Sequence, residues 1–256
     1  MLQRMSVSAK SPFRAHVAQY GWLIVSLTAL SFFLCLFGLS ASSGMAPEVI
    51  GRDLAWFCVY WSAVVLLLVA SGTPPSNLSE PSAGGVPTSW RKAFTGLLAF
   101  WLAGTVSVAL AVTLGLYVAT GTIWSGFLIM VTGTLVGLLP LSALAILLPS
   151  RGRLLTQRSL LLICLTLGHN LDALRSHLDT LGGGWWGQVF EIVAVLIPDQ
   201  GCPDWRGWLV FGQGPELFVL GSAALSSLAL TGFFLLLAEP RHLDRPSDAC
   251  QPSSNR

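Results

Sequence analysis

Six long apolar runs, separated by polar connections, organise this chain. They lie at about Gly21–Ser40, Leu54–Ser71, Phe94–Ala119, Ile123–Leu148, Leu155–His169 and Glu216–Leu237. A helix needs about 20 apolar residues to cross the hydrocarbon core of a bilayer. The run at Leu155–His169 is the shortest of the six. An unpaired backbone group in lipid costs several kcal/mol, so only helices and closed barrels cross. The alternating segments of about 10 residues that mark barrel strands are absent. The pattern predicts an all-α, polytopic membrane protein with six transmembrane helices. Residues 1–20 read as a cytoplasmic or interfacial lead-in, 21–238 as the six-helix domain, and 239–256 as a disordered cytoplasmic tail. Gly21–Leu39 is 19 residues, longer than the roughly 7–15 of a signal-peptide core, and is expected to be retained as the first span.

The segment between the fifth and sixth runs has a different period. Leu171, Leu174, Leu178 and Leu181 recur at helical spacing, with Asp172, Arg175, Ser176 and Asp179 on the opposite side. That is the pattern of an amphipathic helix at a surface. Gly182-Gly183-Gly184 breaks it, and Trp185–Ile197 is apolar up to Pro198. Thirteen residues are too few to span as a helix. The expectation is an outer re-entrant amphipathic hairpin between transmembrane helices five and six, with Asp199–Trp208 as a polar return. Glu191 is the one charge in the second arm, and a carboxylate within a membrane is costly and often functional. Leu171, Asp172, Leu174, Arg175, Leu178, Glu191 and Pro198 are the residues expected to form an outer gate.

Charge sets the orientation. With the N-terminus in the cytoplasm, 11 of the 14 basic residues fall inside, leaving Arg52, Arg175 and Arg206 outside. Eight acidic residues fall outside, against Glu80, Glu239, Asp244 and Asp248 inside. This is the positive-inside bias, and it places both termini in the cytoplasm of a bacterial inner membrane. The chain is 53% hydrophobic and 10% charged, where a soluble domain carries about 25% charged residues. The bilayer must therefore act as solvent for much of it. No basic patch interleaved with aromatics supports nucleic-acid binding.

Candidate chemistry is sparse. No GxxxxGK[ST], HExxH or GxSxG occurs. The five cysteines show no CxxC or Cys/His spacing suited to zinc. His169 and His177 are eight apart, about 80° off a common helical face, so metal ligation by the pair is disfavoured, and His169 is expected to hydrogen-bond at a helix end. A lipid enzyme built on Asp172, Arg175, His177 and Asp179 reads better as the wet face of a helix. Small residues recur at Ala103, Ser107, Ala111, Gly115 and Ala119 in the third run, and at Gly133 and Gly137 in the fourth. Such faces let helices approach closely. Pro140 predicts a kink. Thr120-Gly121-Thr122 predicts a tight hairpin between runs three and four. The result is an apolar six-span subunit without an energy source, neither enzyme nor metal protein, whose mechanism is conformational.

Two stretches carry a family likeness. Pro87-Thr88-Ser89-Trp90-Arg91-Lys92, leading into the third run, looks like a Pro-x-Ser-Arg loop. Leu160 to Gly207, with its Leu171/Leu174 helix, glycine break and Leu196-Ile197-Pro198-Asp199, is similar to a segment ending in Leu-Pro-Asn. On these residues the chain resembles the type 2 ABC exporter permeases, nearest the multicopper-enzyme-maturation branch that includes the permease of nitrous oxide reductase assembly. The resemblance implies a six-helix permease subunit that pairs with a second copy or a homologous permease. It also implies an ABC ATP-binding subunit docked beneath, with ATP held by that partner and no cofactor in this chain. Coupling to the ATPase would fall on Glu80, Pro87, Ser89, Trp90, Arg91 and Lys92. Membrane lipids are the remaining expected partner. The alternative is a non-transporting assembly or scaffold subunit of a larger complex.

Overall fold

A computed structural model describes residues 11–41, 47–71, 90–121, 126–148, 154–180, 184–200, 204–212 and 214–243. Among these residues the chain forms nine α-helices and no strand. They are α1 Pro12–Ala41, α2 Pro47–Ser71, α3 Trp90–Thr120, α4 Phe127–Leu147, α5 Leu154–His169, α6 Leu171–Thr180, α7 Gly184–Ala194, α8 Trp205–Phe211 and α9 Leu217–Leu243. Five of them, α1, α2, α3, α4 and α9, are long and apolar enough to cross a membrane. Helix α5 has 16 residues, about 24 Å at 1.5 Å per residue, short of the roughly 30 Å core.

Helices α1, α2, α3 and α9 outrun the apolar runs that predicted them, whereas α4 begins at Phe127. Helix α1 begins at Pro12, inside the expected lead-in, and α9 continues through Pro240 to Leu243, inside the expected tail. Helix α3 begins at Trp90, so Arg91 and Lys92 occupy its first turn. Continuing a helix keeps backbone hydrogen bonds satisfied where the chain leaves the apolar layer.

Helices α1 and α3 run side by side in the same direction. A Cβ on Gly96 would sit 2.5 Å from Pro12 Cβ, and one on Gly115 would sit 3.4 Å from Phe32. The predicted small-residue stripe is only partly used. Ala103 and Ala119 face outward, whereas Gly104, Thr105, Val108, Val112 and Gly115 are buried. Near its start the stripe is one residue out of register with the contact, because Gly104 and not Ala103 meets Leu66 and Ile24, whereas Gly115 meets Phe32 as its place in the stripe requires. Around this pair Tyr60, Leu66, Leu67, Phe100, Trp101, Leu138, Leu141 and Leu161 close a core shared by α2, α3, α4 and α5. Trp101 and Phe100 are fully buried. In contrast, α1 and α9 turn large apolar residues outward, including Trp22, Phe37, Phe218 and Leu236. Water would not tolerate such a surface, and lipid suits it.

Pro140 lies inside α4 as expected. A proline has no N–H, so the carbonyl four residues earlier loses its partner. That carbonyl belongs to Val136, and Ser227 Oγ of α9 donates to it at 2.7 Å. The gap in α4 is thus closed by the helix packed on it, which fixes where α9 docks.

Candidate functional site

Helix α5 runs antiparallel to α2 and touches it at both ends. At its start, Gln157 Nε2 donates to Ala145 O at 2.8 Å and to Ser71 O at 3.3 Å. Arg158 donates from Nε to Leu68 O at 3.0 Å and from Nη2 to Val69 O at 3.3 Å. The carbonyls of Leu68, Val69 and Ser71 lie in the last turn of α2 and that of Ala145 in the last turn of α4, where the backbone supplies no helical donor. A cation there also complements the helix dipole. At its other end His169 Nε2 lies 2.9 Å from Tyr60 Oη, midway along α2. Hydrogen bonding at the helix end is the role expected for His169.

Tyr60 and His169 belong to a polar knot. Tyr60 Oη donates to Gln200 Oε1 at 2.9 Å. Gln200 Nε2 donates to Gly137 O of α4 at 2.8 Å, and Gln200 N donates to Gly168 O of α5 at 3.2 Å. One glutamine beyond the hairpin therefore ties α2, α4 and α5 together. The approach is close: a side chain on Gly168 would collide with the Pro198 carbonyl, and a Cβ on Gly137 would lie 2.7 Å from Gln200 Oε1. The sequence reading of Gly137 as a close-approach site holds, but it approaches this loop. Gly133 likewise meets Trp205 of α8, at 2.7 Å from a Cβ to Trp205 Cγ.

Above the knot, α8 is clamped to α2. Arg206 donates from Nε to Asp53 Oδ1 at 2.5 Å and from Nη2 to Asp53 Oδ2 at 2.9 Å. That hydrogen bond, with the attraction of the carboxylate, raises the Arg206 pKa above its ordinary value. Asp204 caps α8, accepting from Gly207 N at 2.7 Å. Trp205 is buried and stacks against Trp208, with ring centroids 6.0 Å apart.

Between these two polar levels α2 and α5 part. The gap is a cleft of about 790 Å³, within the size range of small-molecule sites. Trp56, Phe57, Tyr60 and Trp61 of α2 face Leu165, Thr166, His169 and Asn170 of α5 across it, with Asp53 and Arg206 at one end.

Beside the cleft α6 and α7 form the predicted two-arm structure, seated on the bundle through Leu171, Ala194 and Ile197. Leu171 is buried, Leu174 and Leu178 are half-buried, and Asp172 and Asp179 are exposed, as their spacing predicts. Pro198 is buried beneath the hairpin. Arg175 departs from the expected wet face. It is half-buried and forks onto Glu191 of α7, Nε to Oε1 at 3.0 Å and Nη2 to Oε2 at 3.2 Å, with Nη1 3.3 Å from Asp172 Oδ1. The hydrogen bond that Arg175 donates to Glu191 raises the Arg175 pKa. Glu191 is thus a partner in the clamp between the two arms. Trp185, Trp186, Ile192 and Val195 of α7 are exposed, and the two indoles stack at 3.6 Å.

Of the predicted coupling residues, Arg91 and Lys92 are exposed at the start of α3, and Trp90 is its first helical residue. Glu80, Pro87 and Ser89 lie outside the described residues. The structure also assembles a group that sequence reasoning missed: Asp53 with Arg206, and Tyr60 with Gln200. Among the described residues no three His, Cys, Asp or Glu side chains group as a metal site. The described residues form an all-helical fold, and five of their helices are long and apolar enough to cross a membrane, as in a multi-pass membrane protein. No protein-family model matches it, and no curated protein or solved structure is significantly similar to it.

Proposed function

We propose that this chain is the permease subunit of a type 2 ABC export system in a bacterial inner membrane. It would be energised by a separate ATP-binding subunit and would work beside a second copy or a homologous permease. The observation that carries the reading is the cleft between α2 and α5. It is large enough for a solute, it lies within an apolar bundle, and hydrogen bonds join the helices at its ends.

The same contacts favour six crossings. Helix α5 starts at the C-terminal end of α2 and rises beside it to Tyr60. The chain beyond it then packs α8 on Asp53, near the N-terminal end of α2. A chain that joins the two ends of one spanning helix has crossed the layer. On this reading α6 and α7 lie in the outer leaflet as a re-entrant hairpin, and both termini are cytoplasmic. Arg91 and Lys92, exposed at the inner end of α3, would meet the ATPase.

Detergent purification of the tagged chain, followed by identification of co-purifying proteins, tests this. Recovery of a Walker-motif ATPase in stoichiometric amount, lost in Arg91→Glu/Lys92→Glu, is expected. Recovery of other membrane proteins and no ATPase would overturn it in favour of a scaffold subunit, the reading that the broad exposed face of α7 favours.

A further inference from the structure

The polarity of the cleft runs in one direction. Asp53 and Arg206 stand at its outer end, and Leu54, Phe57, Trp61 and Leu165 form apolar walls below them. From Asp53 to Trp61 is eight residues of α2, about 12 Å along the helix. One leaflet of hydrocarbon is about 15 Å deep. Phe57 is 56% exposed and Trp61 42% exposed, so the gap also opens sideways, where lipid would lie. The floor groups, Tyr60 Oη and His169 Nε2, are bonded to each other. They therefore present ring surface, and no free donor, to an occupant.

The mouth adds a constraint on charge. Asp53 and Arg206 form a neutral, bidentate and exposed pair. Both groups are reached by water, which screens their attraction and lets each take a new partner. A purely anionic head would take Arg206 and leave Asp53 without a counter-charge. A zwitterionic head offers an anion to Arg206 and a cation to Asp53, so no charge is stranded. Trp56 and Phe57 beside the mouth suit a cation as well.

We propose that this cleft binds a zwitterionic single-chain amphiphile from the outer leaflet, its tail along Phe57 and Trp61 and its head on the Asp53–Arg206 pair. Its physiological use rests on the export reading, but occupancy does not, because binding needs no ATPase.

The test uses the whole chain in nanodiscs with a lysophosphatidylethanolamine probe carrying a diazirine in its acyl chain. After photolysis, labelled peptides are mapped by mass spectrometry. Labelling concentrated on residues 50–61 and 165–170, and abolished by Thr166→Trp or, from the facing wall, Ile50→Trp, is expected. Asp53→Asn/Arg206→Gln should lower the yield about fivefold while leaving α1 and α9 labelling unchanged. Equal labelling of the outward faces of α1 and α9, insensitive to both tryptophan variants, would overturn the site. A fatty-acid probe labelling the cleft better than the zwitterionic one would overturn the head-group assignment. ATPase recovery is scored separately, so an occupied cleft without an ATPase rejects only the export reading.

Discussion

Pro140 and Ser227 show how one residue's defect becomes another's docking site. The Val136 carbonyl has no helical donor because residue 140 is proline, and Ser227 supplies one from α9. Within membranes such bonds average about 0.6 kcal/mol and reach about 1.7 kcal/mol. Ser227→Ala should therefore cost about 1 kcal/mol of stability. In a Pro140→Ala background the helix regains its own donor, and the same change should cost close to nothing. Unfolding of the four variants in mixed micelles closes this cycle. Equal costs in both backgrounds would mean that Ser227 acts through packing. Tyr60 is a stronger case, since its hydroxyl serves both His169 and Gln200. Tyr60→Phe strands two partners and should cost about 1–3 kcal/mol, read as a lower melting temperature and looser protection of residues 198–200. The proline inside α4 was legible in the sequence. Ser227 was not, because a serine in an apolar run gives no sign of which carbonyl needs it.

At the scale of elements, the α6–α7 hairpin followed from periodicity and α8 did not. The spacing of Leu171, Leu174 and Leu178, and the glycines after them, specify two short arms without any knowledge of what they touch. Helix α8 has seven residues, too few for a period to emerge, and its position depends on Arg206 reaching a carboxylate 153 residues away. Charge content alone placed both groups on the outer side, but pairing them needed the fold. The Arg175–Glu191 fork is likewise invisible to a reading that puts every charge of α6 on the wet face. Because the fork is exposed, its contribution is about 0.2–1 kcal/mol, enough to hold two arms together and too little to hold the bundle. Arg175→Glu should speed amide hydrogen exchange across α7 several-fold while leaving the global melting temperature unchanged. Arg175→Glu/Glu191→Arg should restore the protection. Failure of the swap would mean that Leu171 and Ile197 alone seat the hairpin.

For the whole molecule the deciding question is how many times the chain crosses, and α5 is where it is decided. If α5 crosses, residue 202 and residue 250 lie on opposite sides, with Cys202 outside and Cys250 inside. If α5 turns back, both sides exchange: residues 170–215 fall in the cytoplasm and the C-terminus faces out. The contacts of α5 with the C-terminal end of α2, and of α8 with Asp53 near the other end, favour the first arrangement. The positive-inside bias does too, since turning α5 back would put Arg241, Arg245 and Arg256 outside. The natural cysteines make the test direct. Cys35 and Cys58 are buried and Cys164 is half-buried, so Cys202 and Cys250 are the thiols expected to react in intact membranes. An impermeant maleimide added to spheroplasts should modify Cys202 at once and Cys250 only after permeabilisation, with Cys202→Ser and Cys250→Ser identifying each adduct. The reverse order would mean that α5 turns back or that the whole chain is inverted, and either would overturn the orientation proposed above. Either would also take the cleft and the hairpin out of the outer leaflet, and of the two only the inverted chain would keep Asp53 and Arg206 on one side, as their hydrogen bonds require.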